Sequence, residues 1–317
     1  MKVADIIKNA TKTLFTFEIL PPLKGGSFHE IEHTIEPLLE FCPSYINVTS
    51  HRSDIAYRTK ANGETVRYTT KKRPGSVGVA VAAKFKYNIE VVPHIICAGF
   101  TRDETEDALI DYHFLEMNNL LVLRGDKMKS DPAFVTERGG HAHAVDLLRQ
   151  IQNMNKGIYL NSEIENSTPT DFSCGVAGYP ETHSDAKSAE QDLLYLKEKV
   201  DAGAEYIVTQ MFFDNSKYFD FVAHCRQAGI TVPIIPGVKP VTTLNQVDVL
   251  PRLFSLTLPE EFEKELRKCK TNDEAKHVGT EWLTMQALEL KRANVPAIHI
   301  YTFGIPDNVV KVCKAVF

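Results

Sequence analysis

The segment TLFTFEILPP places a carboxylate, Glu18, among Phe15, Phe17, Ile19 and Leu20. Burial in such surroundings disfavours the charged form and raises the pKa. A glutamate that keeps its proton near neutral pH can serve as a general acid. The alternative is a core-strand glutamate paired with an arginine or lysine, since a buried unpaired Glu is rare. Other polar groups stand at the ends of short apolar runs: Thr49, His94, Arg124-Gly125-Asp126, Tyr179-Pro180-Glu181 with His183, Gln210, and Tyr301-Thr302. Their spacing suggests one convergent polar pocket. Each also has a plain structural reading. The Arg-Gly-Asp triplet can be an ion-pair turn, and His94 a satisfied core histidine. Gln210 needs amide partners from the protein or from a ligand. Lys197 and Lys199 read as a solvated face from which one could reach a phosphate. His141 and His143 have metal-ligand character but no evident third ligand, so no metal site is expected.

Eight apolar, β-branched or aromatic runs carry these groups: 14–20, 45–50, 91–98, 119–125, 172–179, 206–213, 232–238 and 297–303. They are continuous rather than alternating, as parallel strands buried on both faces are. Helical patterns lie between them. Thr101 with Glu104 forms a capping box ahead of a helix in which Ala108, Tyr112 and Leu115 recur. Leu193, Leu196 and Val200 share a face of another helix that ends at Gly203. Eight strand–helix repeats predict an α/β fold, a (β/α)8 TIM barrel, with its site at the C-terminal ends of the strands. A doubly wound open sheet is the alternative, but no G-x-G-x-x-G follows the first strand. The Asn/Ser/Thr-rich stretch 153–172 reads as an inserted surface loop, and 240–296 as extra helices of the same single domain, 1–317.

The chain has 317 residues, 43% hydrophobic and 24% charged, with a net charge of −5. That balance excludes a disordered chain and does not favour nucleic-acid binding. None of the six cysteines forms a C-x-x-C pair, which fits reduced thiols in a cytoplasmic protein. The N-terminus lacks a secretory pattern, and no run is long enough to span a membrane.

The ordered set of motifs resembles the methylenetetrahydrofolate reductases. It comprises F-E-I-L-P-P (17–22), N-V-T (47–49), P-H-I-I-C (93–97), L-R-G-D (123–126) and G-Y-P-E-T-H-S-D-A-K-S (178–188). D-L-L-Y-L-K-E-K-V-D-A-G-A (192–204), T-Q-M-F-F-D (209–214), I-I-P-G-V-K-P (234–240) and H-I-Y-T (299–302) complete it. The resemblance implies non-covalent FAD, reduced by NADH or NADPH, which then reduces 5,10-methylenetetrahydrofolate to 5-methyltetrahydrofolate in a ping-pong scheme. It implies Glu18 as the general acid at folate N10. Asp126 would lie beside the flavin and stabilise a cationic folate iminium. Gln210, Gln246 and Asp126 would contact substrate. FAD contacts would be Thr49, His94, Arg124, Gly125, Asp126, Tyr179, His183, Asp192 and Lys199, with His143 and Ala144 at a looser match. A homodimer or homotetramer is implied. The chain ends with the barrel, so the regulatory domain of eukaryotic members and inhibition by S-adenosylmethionine are not expected.

Four positions depart from the family pattern. Ile305 stands where an arginine often helps bind folate, Leu250 where some relatives stack an aromatic ring on substrate, and Tyr195 and Glu198 where other polar or basic groups meet FAD. Two other classes compete with the reductase. A Schiff-base aldolase needs a buried lysine at a strand end, for which Lys239 is the nearest candidate. A non-catalytic binding barrel does not need Glu18, Asp126 and Gln210 to converge.

Overall fold

The computed structural model describes residues 1–317 apart from 129, 130, 132 and 184. Ser184, part of the 178–188 motif, therefore lies outside the described residues. Parallel strands β1 (Leu14–Ile19), β2 (Tyr45–Val48), β5 (Val91–Ile96), β6 (Asn119–Leu123), β7 (Ser173–Gly178) and β8 (Tyr206–Thr209) follow one another around a single sheet. β9 (Ile234–Ile235) and β10 (Gly237–Val238) are two halves of one stave, divided at Pro236. β9 pairs with β8, β10 pairs with β11 (Ala297–Tyr301), and β11 returns to β1. The sheet thus closes into a (β/α)8 TIM barrel, as the strand rhythm predicts. The expected seventh run, 232–238, is cut short because proline cannot donate to the ladder.

Side chains alternate across each strand. Phe15, Phe17, Ile19, Ile46 and Val48 face the surrounding helices and are buried there. Tyr45, Val92, Leu121, Tyr206 and Ile235 face the lumen, closed below by Val3 and Ile7 of α1 (Val3–Lys8). The lumen floor is therefore dry, and the inward positions one layer higher are polar: Glu18, Asn47, His94 and Tyr301.

The helices follow their local signals. Thr101 caps α4 (Arg102–Phe114) with the full reciprocal pair to Glu104. Its buried face is Thr105, Leu109 and Tyr112; Tyr112 and the partly buried Leu115 pack as predicted, and Leu109 takes the place of Ala108. Ser188 caps α6 (Ala189–Asp201). α5 (Ala144–Met154) runs two residues into the expected 153–172 loop, after which the chain is largely exposed up to β7. Between β10 and β11 lie α8 (Gln246–Phe254), α9 (Glu260–Lys268) and α10 (Asn272–Arg292), as expected.

One element has no counterpart in the sequence reading. β3 (Asp54–Thr59) and β4 (Thr65–Thr70) form an antiparallel hairpin above the exit of β2. Arg73 donates to the carbonyl of Pro21, and Lys24 N–H bonds Lys72 O, so its base is tied to the exit of β1.

Candidate active site

Glu18 is the penultimate residue of β1, in register with Asn47 on β2 and Tyr301 on β11. Its side chain is 15% exposed, and one carboxyl oxygen lies 3.3 Å from His94 Nε2. Burial pushes the Glu18 carboxyl up to about 8. Burial also pushes the His94 imidazole down to about 3, with His299 and His51 adding repulsion. The contact has the distance of an ion pair but not its charges, since burial favours the neutral form of each group. Asn47 Nδ2 lies 3.4 Å from the same His94 nitrogen. The alternative of an Arg or Lys partner for Glu18 is not what the fold provides. Thr302 Oγ1 donates to the Glu18 backbone carbonyl at 2.6 Å and fixes the strand exit.

Two further polar atoms of this layer, Asn47 Oδ1 and Thr49 Oγ1, are buried with no partner among the described residues. The mouth therefore holds hydrogen-bonding capacity beyond what the chain uses, as a ligand site does.

A cluster of charged and aromatic groups stands at the exits of β6 and β7. Gly125 has φ +82, and a Cβ there would lie 2.8 Å from that of Ala98. Only glycine makes this turn, which carries Arg124 and Asp126 around the strand end. Arg124 bonds Asp185 at 2.5 Å and lies 4.9 Å from the Phe134 ring centroid. Tyr179 and His183 meet edge to face at 4.5 Å. The His183 N–H bonds Asp192 on α6, and Lys199 of the same helix donates to Ala177 O at 2.6 Å. Burial pushes the Lys199 ammonium down to about 8, against the pull of Asp192. Asp126 itself is exposed, close enough to His51 and Tyr179 for its charge to act on both.

The two glutamines follow at the next exits: Gln210 directly after β8, where its backbone N–H bonds Gly178 O at 2.8 Å, and Gln246 beyond β10. Gln210 Oε1 accepts from Met211 N at 2.9 Å. Gln246, the first residue of α8, accepts at Oε1 from Thr242 N at 2.7 Å and from Lys239 Nζ at 3.4 Å. Both side-chain carbonyls are thus occupied, and each amide NH2 is the group left to present. Gly279 of α10 lets that helix rest on the Val241 backbone, because a Cβ there would fall 2.1 Å from Val241 O. That close approach fixes the loop holding Lys239 and Gln246.

The remaining predicted positions are more peripheral. His143 is the exposed N-cap residue of α5, and Ala144 opens the helix. His141 bonds Gln150. Leu250 is buried in an apolar cluster with Met211, Phe213 and Val247, so it packs the core rather than presenting a face to a ligand. Ile305 is 40% exposed. Sequence reasoning missed Asn47 and Lys239 as mouth residues. Asn47 lay within the N-V-T motif, and Lys239 was weighed only as an aldolase lysine.

A sequence profile of the family described as methylenetetrahydrofolate reductase matches residues 2–316. The chain is 30% identical over 323 residues to methylenetetrahydrofolate reductase (NADH) 1 of Arabidopsis thaliana, covering 98% of this chain and 50% of that protein. It is 28% identical over 303 residues to a probable NADPH-type reductase of Caenorhabditis elegans, covering 95% of this chain and 42% of that protein. It is 28% identical over 299 residues to 5,10-methylenetetrahydrofolate reductase of Salmonella typhimurium, covering 94% and 88%. The chain spans about half the length of the plant relatives. In fold it is similar to a Clostridium thermocellum protein described as binding two copies of 5-methyl-5,6,7,8-tetrahydrofolic acid. The TM-score is 0.56 at 13% identity, over 98% of this chain and 97% of that one.

Proposed function

Because the chain belongs to the methylenetetrahydrofolate reductase family, we propose that it reduces 5,10-methylenetetrahydrofolate to 5-methyltetrahydrofolate with NADH or NADPH and non-covalent FAD. The observation that carries this reading is the buried Glu18, whose carboxyl burial drives towards the neutral form, 3.3 Å from His94. Opening the five-membered ring of the substrate requires a proton on its N10 amine leaving group. A carboxylic acid that holds its proton to about pH 8 is suited to give it. His94, held neutral, orients the carboxyl without removing the proton.

The residues present fit a flavin nucleotide. Arg124 and Lys199 supply positive charge for its phosphates, His183 supplies a neutral imidazole, and Asn47 Oδ1 and Thr49 Oγ1, unpartnered among the described residues, supply polar contacts at the mouth. FAD, when bound, supplies the hydride that NAD(P)H delivers and the folate receives. Gln210 and Gln246 present amide donors to the reactants from beyond the exits of β8 and β10. Asp126 lies at the β6 exit, where its negative charge favours a cationic folate.

The test is a matched pair. Purified protein incubated with FAD should show a bound-flavin spectrum, and Glu18→Gln should lower folate-dependent turnover by about 10²–10⁴-fold while keeping that spectrum. Turnover of Glu18→Gln near the wild-type rate would remove Glu18 from the acid role. Failure of the wild type to bind flavin would count against the reductase reading as a whole.

A further inference from the structure

Lys239 follows β10 and is only 3% exposed. Its ammonium donates to Pro240 O at 2.9 Å and to Gln246 Oε1 at 3.4 Å, both neutral acceptors. Burial pushes its titration down to about 8, and among the described residues no carboxylate offsets the loss of water. A buried cation held by neutral groups alone is costly, and an anionic ligand group is what would balance it.

The surroundings narrow the ligand. The ammonium lies 4.9 Å from the centroid of Phe303, whose ring is 46% exposed. Phe303 has φ +50, a conformation rare for an aromatic residue, and holds its ring over Lys239 in that bend. An accessible ring with an ammonium behind it suits an aromatic amide that carries a carboxylate.

Register gives the spacing. Val238 pairs with Ile300, so Lys239, one step on, is level with Tyr301, and Tyr301 pairs with Glu18 on the other side. Lys239 and Glu18 are therefore two strand spacings apart, about 10 Å along the sheet. The folate arm beyond N10 is a para-substituted benzoyl ring followed by a glutamate, and it has that reach.

We propose that Lys239 is a specificity-determining residue that receives a glutamyl carboxylate of the folate, with Phe303 against the benzoyl ring and Gln246 beside it. This rests on the folate-reductase reading above and adds to it the group that recognises the acidic end of the substrate.

The test is equilibrium binding of 5-methyltetrahydrofolate to the FAD-loaded protein, by calorimetry, alongside the same ligand with both glutamyl carboxylates converted to amides. The wild type should bind the acid form at least about tenfold more tightly than the amide, the scale of a charge-assisted hydrogen bond. Lys239→Met should weaken the acid form by about the same factor, leave the amide within about twofold, and so erase the preference. Lys239→Arg should restore most of it. Equal affinity of the wild type for both ligands, an arm that needs no variant to fold, would overturn the proposal. So would a preference unchanged in Lys239→Met. A wild type that binds neither ligand would instead overturn the folate reading on which the proposal rests.

Discussion

Glu18 and His94 face each other across the barrel mouth at 3.3 Å, and both are neutral at pH 7. Asn47 Nδ2 lies 3.4 Å from the same imidazole nitrogen. Burial creates this pairing. In water the same two side chains would exchange the proton and form an ion pair.

The first consequence is a pH profile. The acid form of Glu18 persists to about pH 8, so the folate-dependent step should be level below that value and fall as pH rises through it. The expected measurement is kcat/KM for the folate between about pH 4 and pH 10 (about 0.5-unit steps suffice). A fall centred near the ordinary carboxylate value of 4.5 would mean that the carboxyl is not desolvated.

The same group shapes stability, with a definite sign. The unfolded chain releases the Glu18 proton near 4.5 and the folded chain near 8. Between those values the folded state binds more protons, so raising the pH costs stability, at most about 1.4 kcal/mol per unit. Glu18→Gln, neutral throughout, escapes this. Its Tm advantage over the wild type should grow from about pH 4.5 to pH 8 and stay constant above. A thermal melt series at fixed ionic strength reads it out, and a pH-independent difference would contradict it.

Asp126 stands exposed at the β6 exit, where its charge reaches His51 and Tyr179. A negative charge beside a flavin opposes its reduction. Asp126→Asn should raise the potential of bound FAD, by something on the order of 10 mV because the carboxylate is solvent-screened. Anaerobic redox titration checks the sign; a lowered potential would be inconsistent with this placement.

Gly279 lies under the loop that carries Lys239 and Gln246. A methyl group there would meet Val241 O at 2.1 Å, and backbone cannot yield as a flexible side chain can. Gly279→Ala should destabilise the fold by about 1–3 kcal/mol in urea titration. It should also weaken folate binding, since the displaced loop takes Gln246 with it.

The barrel staves were legible because each is buried on both faces and so reads as an unbroken apolar run. Glu18 was legible for the same reason in reverse, a charge where the run should have none. The β3–β4 hairpin escaped because most of its residues are exposed, so its strands carry no apolar run. Asn62-Gly63, with Gly63 at φ +84, was the turn signal that could have found it. Lys239 was underweighted because its stave is broken by Pro236 into two residues on either side, too short to show an inward–outward alternation. The partners of Gln246 and the neutral state of His94 depend on neighbours remote in sequence, and no local pattern encodes them.

The break at Pro236 also makes one stave weaker than its neighbours. β9 and β10 each hold the ring by two register pairs, against five between β1 and β11. One ladder position is filled by a side chain, Thr209 Oγ1, which accepts from Gly237 N. A closed ring opens where it is thinnest, so amide hydrogens along 234–238 should exchange with deuterium sooner than those of β1 or β11. The same stave leads into Lys239. The barrel would then breathe on the side of the mouth that holds Lys239 and Gln246, while the Glu18 side stays closed.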